Sequence, residues 1–279
     1  MPVSPAELSK NHLLATLSRE QMEAIAPHFS CVALKRHMFL ERPRMPIEKV
    51  YFPISGLGSV ITVGSRARDQ RAETSVFGRD GMCGQSVVLG SDRGLHEVFM
   101  QIPGRALCLP VALLRELVVA WPAFERLLLR YTLVQQIQTA YTALSTSQDR
   151  IQTRLARWLL MAHDRLEGDD LPLTHEFLSL MLSIRRAGVT VQMGSLRALG
   201  LIRTARGMVT ILDRDGLVTL ASGAYGVPEA EYERLIGRPI KVQSTGSTRL
   251  TPVERPHALQ SGKPMTLSGD STIDHGASI

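Results

Sequence analysis

The spacing of apolar residues changes repeatedly along this chain, and each change predicts a different kind of element. Leu13, Leu14, Leu17, Met22, Ile25 and Phe29 recur at helical spacing, and Ser18 stands where it can cap a second helical piece. Residues 1–11 before them read as a loose leader. From Cys31 the pattern shortens into β-like runs at 31–34, 38–40, 48–52, 58–63, 73–77, 97–102 and 105–109. Val50 and Phe52 alternate with Lys49 and Tyr51, and Val98, Met100 and Ile102 alternate with Phe99 and Gln101. Many short strands at such intervals predict a barrel or roll.

Helical spacing returns after Leu109-Pro110. Residues 111–120 make one piece, and Pro122 suits the first turn of the next. Along 122–146, Phe124, Leu127, Leu128, Tyr131, Val134, Ile137, Tyr141 and Leu144 recur every three or four residues. Such a stripe can pair with its own copy across a two-fold axis, with Leu127, Tyr131, Val134, Ile137, Tyr141 and Leu144 as the candidate dimer face. The competing reading is one amphipathic helix lying on its own roll. Ser145-Thr146-Ser147-Gln148 then reads as a hinge, and 150–166 as a helix with Ile151, Leu155, Trp158, Leu159 and Ala162 inward.

The stretch 174–212 carries the most specific pattern. Thr174 can cap a helix whose Phe177, Leu178, Met181 and Leu182 share a face. A polar break at Ser183 precedes a second helix with Ile184, Val189, Met193, Leu196 and Leu199 inward, ended by Gly200. Two short β-like runs, 201–203 and 208–212, flank a turn at Arg206-Gly207. Helix, tight turn, helix, hairpin is the order of a winged helix-turn-helix. Short closing helices are expected at 215–225 and 228–236.

Charge sharpens this. Between Phe177 and Leu212 there is no Asp or Glu, but there are five arginines: Arg185, Arg186, Arg197, Arg203 and Arg206. A solvated face normally mixes both signs. The second helix can enter a major groove with its first residues at base edges, and arginine grips guanine with two hydrogen bonds. The hairpin arginines would reach phosphates. The candidate DNA-binding residues are therefore Thr174, Arg185, Arg186, Gly188, Thr190, Arg197, Arg203 and Arg206. The formal net charge of +6 agrees with an anionic partner but cannot choose among anions.

The stretch resembles the DNA-binding domain of the Crp–Fnr transcription regulators. The resemblance rests on Arg154-Leu155-Ala156-Arg157-Trp158-Leu159-Leu160-Met161-Ala162-His163-Asp164-Arg165 and on the blocks at 173–178 and 185–190. It extends more weakly upstream, where 50–56 and 78–84 resemble the family's sensory β-roll. It implies an α+β protein: an N-terminal antiparallel, jelly-roll-like β-roll with leading helices (1–110), a dimerisation helix (111–146), a winged helix-turn-helix (147–236) and a disordered tail (237–279). The tail is rich in Ser, Thr, Gly and Pro and cannot bury enough surface to offset its ordering entropy.

In cyclic-nucleotide-binding relatives a Gly-Glu pair precedes an Arg-Ser or Arg-Thr pair by about ten residues. This chain has Gly84-Gln85-Ser86 and then Leu95-His96, so the charged pair is displaced and ordinary cyclic AMP binding is not expected. Gly84, Gln85, Ser86, Arg93 and His96 remain the effector-site candidates, while Gly78, Gly81 and Gly84 are also explained by turn geometry alone.

Other chemistry leaves little trace. No His-x-x-x-His or Cys-x-x-Cys spacing marks a metal site, so no metal or cofactor is assigned, and Cys31, Cys83 and Cys108 suggest no disulfide framework. His163 reads as a helix-surface residue and His175 as a helix-start residue. No hydrolase elbow or phosphate-loop lysine motif is present, so an enzyme is not expected. No apolar run approaches the roughly 18 residues of a spanning helix, and the N-terminus has no continuous apolar signal core. The expectation is a cytoplasmic, homodimeric one-component transcription regulator that binds double-stranded DNA and contacts RNA polymerase. The alternative is a ligand-binding module acting through protein contacts.

Overall fold

The chain enters its core at once. The structure, a computed structural model, describes residues 3–64 and 70–241. Helix α1 (Pro5–Leu8) is followed by α2 (Arg19–Ile25), which starts with a capping box between Ser18 and Gln21. The leading residues are not the loose segment expected. Leu8 and Asn11 are fully buried, and Asn11 Nδ2 donates to the carbonyls of Pro53 and Gly81 at 2.7 and 2.8 Å. A buried amide with both hydrogens satisfied anchors the leader to the end of β3 and to the loop at Gly81.

Seven strands make that roll: β1 (Ser30–Leu34), β2 (Phe39–Glu41), β3 (Lys49–Pro53), β4 (Leu57–Val63), β5 (Arg71–Phe77), β6 (Glu97–Ile102) and β7 (Gly104–Pro110), with the short α3 (Gln85–Val88) between β5 and β6. They form two antiparallel sheets, ordered β1-β7-β3 and β2-β6-β4-β5. Leu34, Phe77, Cys83, Val98, Met100 and Ala106 fill the space between them.

Two helices follow, α4 (Val111–Ala120) and the long α5 (Pro122–Gln148). Phe124, Leu127, Leu128, Tyr131 and Val134 of α5 join the leading helices and β3 in one core. The packing is tight enough that a Cβ on Gly81 would fall inside the Tyr131 ring, so Gly81 is held by this approach more than by its turn. The candidate dimer face needs correction. Leu127, Tyr131 and Val134 are buried by their own chain, Ile137 and Tyr141 are half-buried, and only Leu144 is exposed. The three- and four-residue period identified a buried stripe, but it could not say which surface covers it. Leu129, Leu133 and Leu144 are the large apolar side chains that α5 leaves exposed. The expected hinge also moves: α5 runs through Gln148, and the extended residues are Asp149 and Arg150 (ψ 150° and 152°).

The C-terminal half comprises α6 (Ile151–Arg165), β8 (Asp170–Leu171), α7 (His175–Leu182), α8 (Arg186–Ala198), β9 (Ile202–Ala205), β10 (Met208–Ile211), α9 (Arg214–Ala221) and α10 (Val227–Ile236). Its sheet is ordered β8-β10-β9. Leu57, Ile61, Val76, Phe99 and Ile102 of the roll share a core with Trp158, Leu178 and Met181 of this half. His163 is buried rather than on the surface. Its Nδ1 accepts from Arg214 at 3.0 Å and its Nε2 donates to Asp169 at 2.8 Å, while burial lowers its pKa. Of the expected tail, residues 237–241 continue the fold, with Ile240 buried and its carbonyl 3.2 Å from His12 Nδ1. The remainder, 242–279, lies outside the described residues.

Several polar contacts cross the seam between roll and C-terminal half, and two of them involve a buried carboxylate of the roll. Glu73 on β5 accepts from Trp158 Nε1 at 2.5 Å, and from the side chains of Ser59 and Gln101. Asp80 and Arg165, both about fully buried (0% and 1% exposed), form an ion pair at 2.9 Å. The two closest atoms are not aligned for a hydrogen bond, so that contact is Coulombic; Asp80 Oδ1 is satisfied by the backbone N–H of Gly78.

Breaking such a pair leaves a buried charge uncompensated. Asp80→Ala is therefore expected to cost about 3–5 kcal/mol, read as a lower denaturant midpoint. A midpoint within error of the parent would show that Arg165 finds another partner. The Glu73 contact predicts a pH effect. Burial pushes the Glu73 carboxyl up to about 7 from its ordinary 4.5, against the hydrogen bonds that favour its charge. The native state then keeps a proton that the unfolded chain has released, so this group lowers stability as pH rises from about 4.5 to 7. Glu73→Gln should remove that loss, so the variant gains stability relative to the parent across this window. A difference in melting temperature that stays flat with pH would refute the linkage.

Candidate nucleic-acid interface

The interface is assembled from the turn between two helices outward. Thr174 caps α7 by accepting from the backbone N–H of Phe177 at 3.2 Å. Phe177 packs edge-on against Trp158, with ring centroids 5.3 Å apart, and Leu178, Met181 and Leu182 enter the core. Ser183 ends α7 in the left-handed region (φ 51°), which turns the chain within three residues into α8. Val189, Met193 and Leu196 are the buried face of α8, at spacings of four and three. Leu199, expected inward, is 57% exposed because it lies past the last helical turn.

Each sequence-predicted DNA-binding residue can be placed. Arg185 is the N-cap of α8 and makes no side-chain cap, so the first N–H groups of the helix lack a side-chain partner. Such a helix end favours an anion. Arg186, Thr190 and Arg197 are exposed and follow one another along α8 at spacings of four and seven. Thr190 donates to the Arg186 carbonyl and lies 3.1 Å from His175 Nδ1. Gly188 is half-buried beside Ile184 in the first turn. Arg203 is exposed on β9, and Arg206 is exposed at the hairpin turn, where Gly207 supplies a φ of 71°. Thr174, by contrast, is half-buried as a cap.

All five arginines of the stretch are exposed. Arg186 pairs with Glu176 at 2.7 Å, an exposed pair with little energetic weight. Arg185, Arg197, Arg203 and Arg206 have no ion pair among the described residues. Sequence reasoning began its acid-free window at Phe177, one residue too late to see Glu176.

The effector-site candidates do not assemble. Gly84 is the left-handed start of α3 (φ 103°), and Gln85 Nε2 donates to the Met82 carbonyl. Arg93 is exposed, 3.6 Å from Asp92, and His96 meets Thr62 at 3.2 Å on another part of the roll. No hydrogen bond or ion pair joins these side chains to one another among the described residues. Two acids that the sequence gave no reason to select, Glu41 and Glu73, are buried in the roll, and burial pushes both up to about 7. Among the described residues no cluster of three or more potential metal-ligating side chains is gathered, and no helix is long and apolar enough to cross a membrane.

This arrangement defines a class: a β-roll joined through a long helix to a winged helix-turn-helix. Residues 153–220 match the Crp-like helix-turn-helix domain. The chain also has the fold of the Crp/Fnr transcription regulators. It is similar to a Crp/Fnr-family regulator from Eubacterium rectale, with 17% identity over 76% of this chain and 99% of that one and a TM-score of 0.58. FixK2 from Bradyrhizobium japonicum is 15% identical, with 71% and 99% covered and a TM-score of 0.61. A Crp/Fnr-family regulator from Thermus thermophilus is 20% identical, with 70% and 100% covered and a TM-score of 0.54. No curated protein matches the chain.

Proposed function

We propose that this chain is a one-component, cytoplasmic transcription regulator that binds a two-fold-symmetric operator as a homodimer, under control of a signal sensed by its β-roll. The observation that carries this reading is the set of exposed arginines on α8 and the β9–β10 hairpin, four of them without an acidic partner. In this reading α8 lies in the major groove, with Arg185 and Arg186 at base edges and Arg197, Arg203 and Arg206 on phosphates. Contact with RNA polymerase would follow from bound DNA. Cyclic AMP is not assigned as the signal.

The dimer contact is proposed on the outer face of α5. Leu129, Leu133, Ala140 and Leu144 are exposed there at spacings of four, seven and four, which is the period of a helix pair about a two-fold axis. Exposed leucines on one face of a 27-residue helix are costly in water and favoured in a paired one.

The first test is selection of bound sites from random duplex DNA by the full-length protein. The expected product is an inverted repeat with half-site centres about 10 base pairs apart. Absence of any enrichment, together with binding that does not weaken as salt rises, would sink the reading, because phosphate contacts release counterions. The second test addresses the dimer. Leu133→Glu should shift the protein from dimer to monomer in sedimentation and cost at least tenfold in affinity for the inverted repeat, while half-site contacts persist. An unchanged dimer would place the interface elsewhere.

A further inference from the structure

A cleft of about 540 Å³ opens between the roll and the first turn of α7. Its volume lies within the range of small-molecule sites. Three aromatic side chains line it: Phe39 and Phe99 from the roll, whose centroids are 5.7 Å apart, and Phe177 from α7. Two buried polar atoms belong to residues that also line it and have no partner. Arg71 gives its Nη2 to Glu97, but its Nε–H donates to nothing. Gln101 uses its Nε2 on Ser59, Glu73 and Met181, and its Oε1 accepts from nothing. A buried donor and a buried acceptor without partners are costly, and a ligand that offers one acceptor and one N–H would satisfy both. At the exposed side stands Arg36, which has no ion pair among the described residues, whereas the other charges of the cleft, Arg71 and Glu176, are already matched by Glu97 and Arg186.

We propose that this cleft binds a flat heteroaromatic acid. The ring lies among Phe39, Phe99 and Phe177, its polar edge meets Arg71 Nε and Gln101 Oε1, and its acidic group meets Arg36. Because the walls come from β2, β5 and β6 on one side and from α7 on the other, the ligand holds the helix-turn-helix against its roll. A ligand there contributes to the docked arrangement in proportion to its preference for that arrangement. The site is separate from the Gly84–Ser86 segment. It deepens the proposed sensory control, resting on that reading for its regulatory meaning but not for the binding itself.

The test is therefore run without DNA, so that its outcome is independent of whether the protein reads an operator. Titration calorimetry on the full-length protein would use orotate, whose ring offers carbonyl acceptors and N–H donors, as the acid and uracil as its uncharged counterpart. The expected result is one site per chain for the acid with a Kd below about 1 mM, and binding of uracil at least about tenfold weaker. Arg36→Glu, a change at an exposed residue, should weaken the acid by about tenfold or more and leave uracil unchanged. Phe39→Ala should weaken both. Backbone hydrogen exchange across residues 171–180 should slow when the acid binds. Failure of both compounds to bind, or equal binding of the acid by the parent and Arg36→Glu, would overturn the proposal.

Discussion

The hydrogen bond from Trp158 to Glu73 is the constraint around which the rest is arranged. It joins the first helix of the C-terminal half to the second sheet of the roll, deep inside a core that both halves share. A carboxyl in such a place is tolerated only with its acceptors filled, and Ser59, Gln101 and Trp158 fill them. Met181 of α7 reaches the same cluster, so the helix-turn-helix is registered on the roll by a directional contact as well as by apolar packing. Asp80 and Arg165 repeat the device a short distance away: the roll supplies an acid, α6 supplies its partner, and neither charge reaches water. Tyr232 of α10 adds a hydrogen bond to the Asp80 carbonyl at 2.8 Å, which closes the chain back onto the same point.

How much of this was legible depended on the range of the interaction. The seven strands were readable as short β-like runs; alternation of burial holds at 49–52, where Val50 and Phe52 are buried and Lys49 and Tyr51 are not, while 97–102 is buried on both faces. Ser18 and Thr174 were readable as caps because capping needs only the next three residues. The helix-turn-helix was readable for the same reason, with Ser183 as its break. The inward faces of α6, α7 and α8 were readable too, Leu199 apart; what was not readable was which surface covers a helix. Leu127, Tyr131 and Val134 have the right period for a dimer face and are buried by their own roll. His163 sits on a helix that has no exposed side at that point. The leader, read as loose, owes its order to Asn11 and two carbonyls more than 40 residues away in sequence. The seam acids were invisible because a Glu in a strand has no local mark of burial.

The site was legible in its charges and not in its geometry. Five arginines without an acid between them could be counted, and all five are exposed. That Glu176 pairs with Arg186 across ten residues is a consequence of the sharp turn at Ser183, which folds the start of α7 back beside the start of α8. The effector candidates are a different case, since no hydrogen bond or ion pair joins them among the described residues. They were placed by the spacing of a family pattern, and the spacing does not survive the departure of its charged members: Gln85 turns inward to a carbonyl and His96 pairs on a separate strand.

The shared core has a consequence for how such a protein could be switched. On the proposed reading an operator sets the distance between two α8 helices at about one DNA turn, roughly 34 Å. If the helix-turn-helix were free, the extended residues Asp149 and Arg150 would govern that distance. Here the roll governs it, because α7 and α6 are packed and hydrogen-bonded to β4, β5 and β6. A signal must therefore act on the seam to change affinity. The energies match: a hundredfold change in the competent population requires about 3 kcal/mol, and a buried polar group losing its partner costs about 1–3 kcal/mol. One or two contacts of the Glu73 cluster are thus enough to set the balance, and no larger rearrangement of the fold is required.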